Sequence, residues 1–151
     1  MGRKIWKTGT FEYPLPAVMV SCGTMEKSNI ITVAWTGILN TNPAMVYISI
    51  RPIRYSYNLI KESGEFVINL TNKQLAYATD WCGVRSGEKF DKFKEMKLHK
   101  EKAQFVKAPL IKESPVSIEC KVKDIIKLGS HDMFVAEVLS IDADEKYIDE
   151  K

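Results

Sequence analysis

The stretch Pro115–Asp142, PVSIECKVKDIIKLGSHDMFVAEVLSID, predicts two strands joined by a turn. Apolar and polar residues alternate from Pro115 to Lys123, which is typical of a strand with one face packed and the other in water. The predicted inner residues are Val116, Ile118, Cys120 and Val122, and the predicted outer ones are Ser117, Glu119, Lys121 and Lys123. Gly129 and Ser130 form the predicted turn, and His131–Asp142 is the returning strand.

Four more strands are predicted upstream of this pair. Their segments are short apolar runs rich in β-branched residues and bounded by turn-forming residues. They cover Ala17–Gly23, Asn29–Thr36, Ala44–Arg51 and Glu65–Leu70. Because helices are inserted between the fourth and fifth strands instead of alternating regularly with strands, the order favours a mainly β, antiparallel barrel over a doubly wound α/β sheet.

Short helices are predicted in the gaps between strands. A proline before and a glycine after bound a helix over Arg54–Glu62. A capping box at Thr71 and Gln74 predicts a second helix that continues to Gly83. The lysine-rich stretch Arg85–Lys107 repeats apolar residues at every third position, which predicts a short amphipathic turn of helix.

The composition indicates a single folded domain over residues 1–151, with 45% hydrophobic and 27% charged residues. A net charge of +3 suits phosphate-bearing small ligands and is too small for a typical nucleic-acid binder. No apolar run is long enough to span a membrane, and the N-terminus has no apolar signal-peptide segment. Three cysteines without a C-x-x-C pair are typical of a reduced, cytoplasmic protein.

Several common site motifs do not occur in the sequence. It has no glycine-rich nucleotide loop, no H-E-x-x-H helix and no G-x-S-x-G elbow. The two histidines, His99 and His131, are far apart, so we expect no protein-built metal site.

An anion site is predicted where a strand ends and a helix begins. Arg51 and Arg54 lie on either side of this junction, and Ser56 falls in the first helical turn. Unpaired N–H groups and the helix dipole favour an anion there, and arginine and serine add charge-assisted donors. A phosphate monoester suits this arrangement. The same residues also suit a plain strand end, with solvated arginines and a serine that assists the helix cap.

A second candidate segment is the loop Cys82–Gly87, in which two glycines flank an arginine and a serine. Such a loop can bring its backbone close to a ligand, although an ordinary surface turn after a helix has the same composition. His131 opens a strand after a Gly-Ser turn, where an imidazole can face a cleft or stay at the surface.

Taken together, six segments resemble the flavin reductase-like family of FMN-binding split barrels. They are IWKTGTFEYPLPAVMVSCG, NIITVAWTG, ISIRPIRYSYNLIKESGEFVINL, TDWCGVRSGEKFDKF, ESPVSIECKV and GSHDMFVAEV, in this order along the chain. The resemblance implies a split, Greek-key-like antiparallel barrel, a homodimer and non-covalent FMN near the dimer interface. It also implies a glycine- and tyrosine-containing stretch after Asp142–Lys151, so we expect this domain to lack the family's usual C-terminal extension.

The resemblance assigns expected cofactor contacts residue by residue. Those for the ring and ribityl chain are Thr32, Ala34, Trp35 and Thr36, with Ser49 and Arg51 beside them. Those for the phosphate are Arg54 and Ser56, with Tyr55 between them and Lys92 as a second phosphate partner. The loop residues Cys82, Gly83, Ser86 and Gly87 are expected to close over the cofactor, and His131 to lie on the nicotinamide side.

The implied activity is that of an FMN-dependent oxidoreductase. It takes electrons from NAD(P)H or a partner protein and passes them to a small-molecule or protein acceptor, as a flavin reductase or as a flavoredoxin-like carrier. The alternative is a non-catalytic barrel, a carrier or sensor that binds FMN or another phosphate-bearing cofactor such as pyridoxal phosphate. Neither function involves nucleic acid or a membrane.

Overall fold

The computed structural model describes residues 2–149 as nine strands and three α-helices. The strands are β1 (Val18–Gly23), β2 (Ser28–Val33), β3 (Thr36–Thr41), β4 (Ala44–Ile50), β5 (Glu65–Asn69), β6 (Lys100–Glu101), β7 (Leu110–Ile111), β8 (Val116–Lys127) and β9 (Asp132–Ala143). The helices are α1 (Tyr55–Ser63), α2 (Ala76–Val84) and α3 (Lys92–Glu95), and two 3-10 helices cover Lys73–Leu75 and Glu145–Tyr147. The predicted single domain, residues 1–151, includes one residue before and two residues after the described range.

Seven strands form one antiparallel sheet in the order β2-β1-β5-β8-β9-β4-β3, and β6 and β7 form a separate pair. The sheet curves around a core that contains the fully buried side chains of Ile48, Phe66 and Phe134. α1 packs its buried residues Tyr57 and Ile60 into the same core. The predicted fold class, a split antiparallel barrel with a few short helices, is confirmed.

The predicted strand Asn29–Thr36 is in fact two strands. The chain bends at Ala34 and Trp35, so β2 ends at Val33 and β3 begins at Thr36. β3 pairs with β4 alone and forms an edge of the sheet, where the Ile38 side chain is 86% exposed. Val33 just before the bend and Thr36 just after it are both β-branched, so the sequence pattern showed no break between the two strands.

The predicted capping box at Thr71 and Gln74 is wrong. Asn72 is the cap, since its side chain accepts a hydrogen bond from the Leu75 N–H, and a 3-10 helix precedes α2. The Thr71 hydroxyl instead donates to the carbonyl of Ala17, at 2.7 Å, and ties this segment to the chain just before β1.

The predicted water-facing side of β8 is wrong in its first half. Ser117 and Glu119 are buried, because the segment from Ala103 to Ile111 covers this face of the sheet. The two carboxylate oxygens of Glu119 accept three backbone N–H groups of that segment, those of Gln104, Phe105 and Val106, at 2.7–3.1 Å. Lys121 and Lys123 are exposed, as predicted.

A second carboxyl group, on Asp142, lies beside Glu119. One oxygen of Asp142 is buried and has no hydrogen-bond partner among residues 2–149. Burial and the nearby acids Glu119 and Glu101 raise the pKa of Asp142. A carboxyl group whose pKa is raised on folding stabilises the fold below its ordinary pKa, and this contribution is lost as the pH rises through the folded-state pKa.

Asp142→Asn is therefore expected to stabilise the protein at pH 7, because it removes a carboxylate that burial and the nearby acids disfavour. Urea unfolding at pH 5 and pH 7 measures the effect, and the variant's advantage should be larger at pH 7. Asp144→Asn is the matched control, because Lys146 lowers the pKa of Asp144 and the expected change at pH 7 has the opposite sign. An Asp142→Asn variant that is less stable than the parent at pH 7 would contradict this account.

Candidate functional site

Two adjoining cavities form a groove along the end of β2. The α1 cavity, about 170 Å³, lies between the start of α1 and the loop after α2. The β4 cavity, about 160 Å³, lies between the ends of β2 and β4 and the start of β9. Ile31 and Arg54 line both cavities, so the two lie side by side.

The groove collects every predicted site residue except Thr36. The α1 cavity is lined by Arg54, Tyr55, Ser56, Cys82, Gly83, Ser86, Gly87 and Lys92 of the predicted set. The β4 cavity is lined by Thr32, Ala34, Trp35, Ser49, Arg51, Arg54 and His131. Thr36 belongs to β3, and its hydroxyl donates to the carbonyl of Tyr47 on the neighbouring strand. The structure thus brings together residues from five separate parts of the chain, and the ligand contacts expected of them stay predictions.

The start of α1 presents a serine and an arginine to the α1 cavity. Arg54 is the residue that precedes α1, and its backbone accepts the Tyr57 N–H at 2.9 Å. Ser56 does not cap the helix. Its buried hydroxyl oxygen accepts a hydrogen bond from Nδ2 of Asn29, at 2.8 Å. The hydroxyl group keeps its own hydrogen, which can rotate toward the Cys22 thiol or toward an acceptor in the cavity.

Lys92 contributes a buried positive charge to the same cavity. The residue is only 3% exposed, and its Nζ donates to the carbonyls of Ile30 and Cys82 at 2.7 and 2.6 Å. Among residues 2–149 no carboxylate pairs with it. Burial lowers the pKa of Lys92 most, the nearby thiols of Cys82 and Cys22 raise it, and Arg54 lowers it. A buried ammonium group with only neutral partners is a strong attractor for an anion.

Gly87 closes the cavity from the loop side. A β-carbon at this position would stand 2.2 Å from Oδ1 of Asn29, so only glycine lets the loop approach this closely. Asn29 therefore contacts both Ser56 and Gly87, although no sequence motif predicted a role for it. Its position directly before the β-branched run Ile30–Val33 was the signal that could have identified it. Arg85 also lines the cavity and was quoted only as part of the loop motif.

The β4 cavity has an aromatic and imidazole wall. The rings of Trp35 and His131 pack against each other in a tilted arrangement, with centroids 4.4 Å apart and planes at 40°. Ser130 Oγ lies 2.9 Å from Nδ1 of His131. Burial, and then the positive charges of Arg51 and Arg54, lower the pKa of His131. The imidazole is consequently neutral at neutral pH and can accept or donate a hydrogen bond without carrying charge.

The three cysteines are buried, unpaired thiols. Burial raises the pKa of Cys22 and Cys82 to about 11 and that of Cys120 to about 12. They therefore stay protonated at neutral pH, and the charge in the α1 cavity comes from Arg54, Arg85 and Lys92. Within residues 2–149 no group of three or more histidine, cysteine or acidic side chains is placed to hold a metal ion. No helix in the same range is long and apolar enough to cross a membrane.

The residues of the groove fit a ligand with a phosphate at one end and a ring at the other. The α1 cavity offers three cationic side chains, those of Arg54, Arg85 and Lys92, together with a hydroxyl donor. It also has a loop glycine, Gly87, at which any β-carbon would clash with Asn29. The adjoining β4 cavity offers aromatic and polar walls. The structure therefore defines a class of protein: a split antiparallel barrel whose groove has a cationic cavity beside a cavity with aromatic and polar walls.

The comparisons with known proteins place this chain in a family. It belongs to the flavin reductase-like family, because the model of the flavin reductase like domain matches residues 10–150. The family is one of flavin-associated oxidoreductases. The structure of the flavoredoxin of Desulfovibrio vulgaris (Miyazaki F) is similar, with a TM-score of 0.91, 30% identity and coverage of 99% of this chain and 80% of that one.

Two relatives by sequence extend the comparison. An uncharacterized protein of Archaeoglobus fulgidus is 33% identical over 139 residues, which are 92% of this chain and 78% of the relative. An NADPH-flavin oxidoreductase of Streptomyces viridifaciens is 25% identical over 135 residues, which are 86% of this chain and 67% of the relative.

Proposed function

We propose that this protein is an FMN-dependent oxidoreductase that takes its electrons from NAD(P)H. The observation that carries the proposal is the buried ammonium group of Lys92 beside Arg54 and Ser56, in a cavity that adjoins the one lined by Trp35 and His131. FMN has a phosphate at one end and a planar ring at the other, so its two ends match the two cavities.

The side chains have separate tasks in this proposal. Arg54, Ser56 and Lys92 bind the phosphate, and the Gly87 loop approaches it with backbone alone. Trp35, Ser49 and Arg51 form the wall beside the ring. The neutral His131 stays at the edge of the β4 cavity, where it helps to orient the nicotinamide of the donor.

FMN supplies the hydride and electron transfer, which is why the protein needs no nucleophile of its own. This agrees with the high pKa of all three thiols, which leaves no thiolate at neutral pH. The NADPH-flavin oxidoreductase of Streptomyces viridifaciens supports NAD(P)H as the donor.

The absorbance spectrum of the purified protein tests this function. After reconstitution with FMN and removal of excess, the protein is expected to keep the yellow colour of bound oxidised flavin. Anaerobic addition of NADH or NADPH should bleach that colour within the time of one or a few turnovers. Protein that retains no FMN would contradict the proposal as a whole.

The same experiment separates a second candidate, a flavoredoxin-like carrier that receives electrons from a partner protein. The observation that favours it is the similarity to the Desulfovibrio flavoredoxin over nearly the whole chain. A carrier should retain FMN and bleach with dithionite but not with NAD(P)H. A barrel that binds FMN as a sensor should bleach with dithionite and pass no electrons to an added acceptor.

We also propose that the protein works as a homodimer with the flavin near the interface. The edge strand β3 and the extended N-terminal residues before β1 expose large apolar side chains, among them Ile5, Trp6 and Ile38. A recess of about 550 Å³ lies between the N-terminal residues Phe11 and Leu15 on one side and Trp35 and Tyr47 on the other, and Trp35 also lines the β4 cavity. An exposed apolar edge strand is typical of a surface that another chain covers.

A further inference from the structure

A buried hydrogen bond connects α1, whose start lines the α1 cavity, with β9, which begins next to the β4 cavity. The hydroxyl group of Tyr57, in the first turn of α1, donates to Oδ2 of Asp132, the first residue of β9, at 2.6 Å. Both side chains are buried, and neither lines the α1 or the β4 cavity. Among residues 2–149 this is the one side-chain hydrogen bond between α1 and β9.

Each partner is adjacent in sequence to a residue of the groove. Tyr57 follows Ser56, whose hydroxyl faces the α1 cavity. Asp132 follows His131, which lines the β4 cavity. Asp132 also pairs with Ile50 at the end of β4, between the cavity residues Ser49 and Arg51. A change in the distance between Tyr57 and Asp132 therefore changes the distance between the two cavities.

The rest of the environment keeps this pair in place. The Tyr57 ring packs edge-on against Phe134, with centroids 5.3 Å apart. The Asp132 carboxylate raises the pKa of Tyr57, so the phenol stays protonated and remains a donor at neutral pH. A short hydrogen bond to a buried carboxylate is strong and directional, and two atoms at this distance leave little freedom to slide.

We propose that Tyr57 and Asp132 are positioning residues that fix the separation between the phosphate end and the ring end of the flavin groove. This inference rests on the proposed function. A ligand that reaches both cavities gains affinity from having its two ends bound at once, and that gain depends on the cavities being the correct distance apart. A ligand that occupies one cavity gains nothing from the separation.

Tyr57→Phe tests the proposal through three ligands. FMN occupies both cavities, whereas riboflavin lacks the phosphate and inorganic phosphate lacks the ring. The variant is expected to lose about tenfold in FMN affinity and less than about twofold in affinity for riboflavin or inorganic phosphate. Flavin fluorescence titration measures the first two, and phosphate is measured by calorimetry on the protein without flavin.

Three further variants control for folding. Asp132→Asn keeps an oxygen that accepts the Tyr57 hydrogen, so its FMN affinity should stay within about twofold of the parent. Tyr57→Phe leaves the Asp132 carboxylate buried without its hydrogen-bond donor. If this prevents folding, the double variant Tyr57→Phe with Asp132→Asn removes the charge and should show the same selective loss of FMN affinity. Phe66→Leu creates a defect in the same core away from the groove and should change none of the three affinities.

The outcomes separate this inference from the proposed function. Loss of FMN affinity alone supports the positioning role. Equal FMN affinity in parent and Tyr57→Phe, or an equal loss for FMN and riboflavin, overturns it and leaves the proposed function standing. Failure of the parent protein to bind FMN overturns both.

Discussion

Arg54→Ala combined with Ser56→Ala is expected to weaken FMN binding by about a hundredfold. Hydrogen bonds to a charged group each contribute about 1.5–3 kcal/mol, and 1.4 kcal/mol corresponds to a factor of ten. Arg54 supplies positive charge to the α1 cavity, and Ser56 supplies a hydroxyl donor that Asn29 holds in place. Lys92 remains in the variant, so binding should fall without being lost.

Riboflavin, which lacks the phosphate, is the control ligand for the same variant. Its affinity should change little, because Arg54 and Ser56 are assigned to the phosphate alone. Lys61→Ala removes a positive charge from the last turn of the same helix and should leave both affinities unchanged. Fluorescence titration gives the dissociation constants, and thermal unfolding confirms that Ser56→Ala has not disturbed the fold around Asn29. An unchanged FMN affinity would refute the phosphate assignment.

The sequence predicted this cavity in part because some of its features are local. A strand end, a proline and a helix start fall within a few residues of each other, so Arg51, Arg54 and Ser56 could be grouped without a structure. Asn29 could not be grouped with them. Its role depends on β2 crossing the start of α1 and on the packing of Gly87 against its amide, and both are tertiary contacts between distant segments.

The fold class was predictable for a similar reason, since alternation and turn residues are local signals. One error occurred where a segment outside the sheet covers one of its faces. Ser117 and Glu119 are polar and alternate with apolar neighbours, yet the segment from Ala103 to Ile111 buries them and supplies N–H groups to Glu119. The lysine-rich composition of Arg85–Lys107 did not indicate that the segment from Ala103 to Ile111 would cover the sheet, and it did not indicate the short strand pair β6 and β7.

The exposed apolar surface at β3 is where we expect a single substitution to change the assembly state of the protein. Ile38→Lys is expected to convert a dimer to a monomer at micromolar concentration. Ile38 is 86% exposed on an edge strand, so lysine there costs the isolated chain little. In a dimer that covers this strand, the same lysine would be buried without a partner, and the dissociation constant should rise about a hundredfold.

Sedimentation equilibrium measures the assembly state, and Ile141→Lys is the matched control. Ile141 is also exposed, on β9, but it pairs with β8 in the interior of the sheet order and not at the β3 edge. The control should remain dimeric. Ile38→Lys should also bind FMN more weakly, because Trp35, which directly precedes β3, lines the β4 cavity, and a partner chain that covers β3 would lie beside that cavity. A parent protein that is monomeric at these concentrations, or an Ile38→Lys variant that stays dimeric, would show that this surface does not join two copies. Loss of the dimer without any change in FMN affinity would keep the interface and separate it from the flavin site.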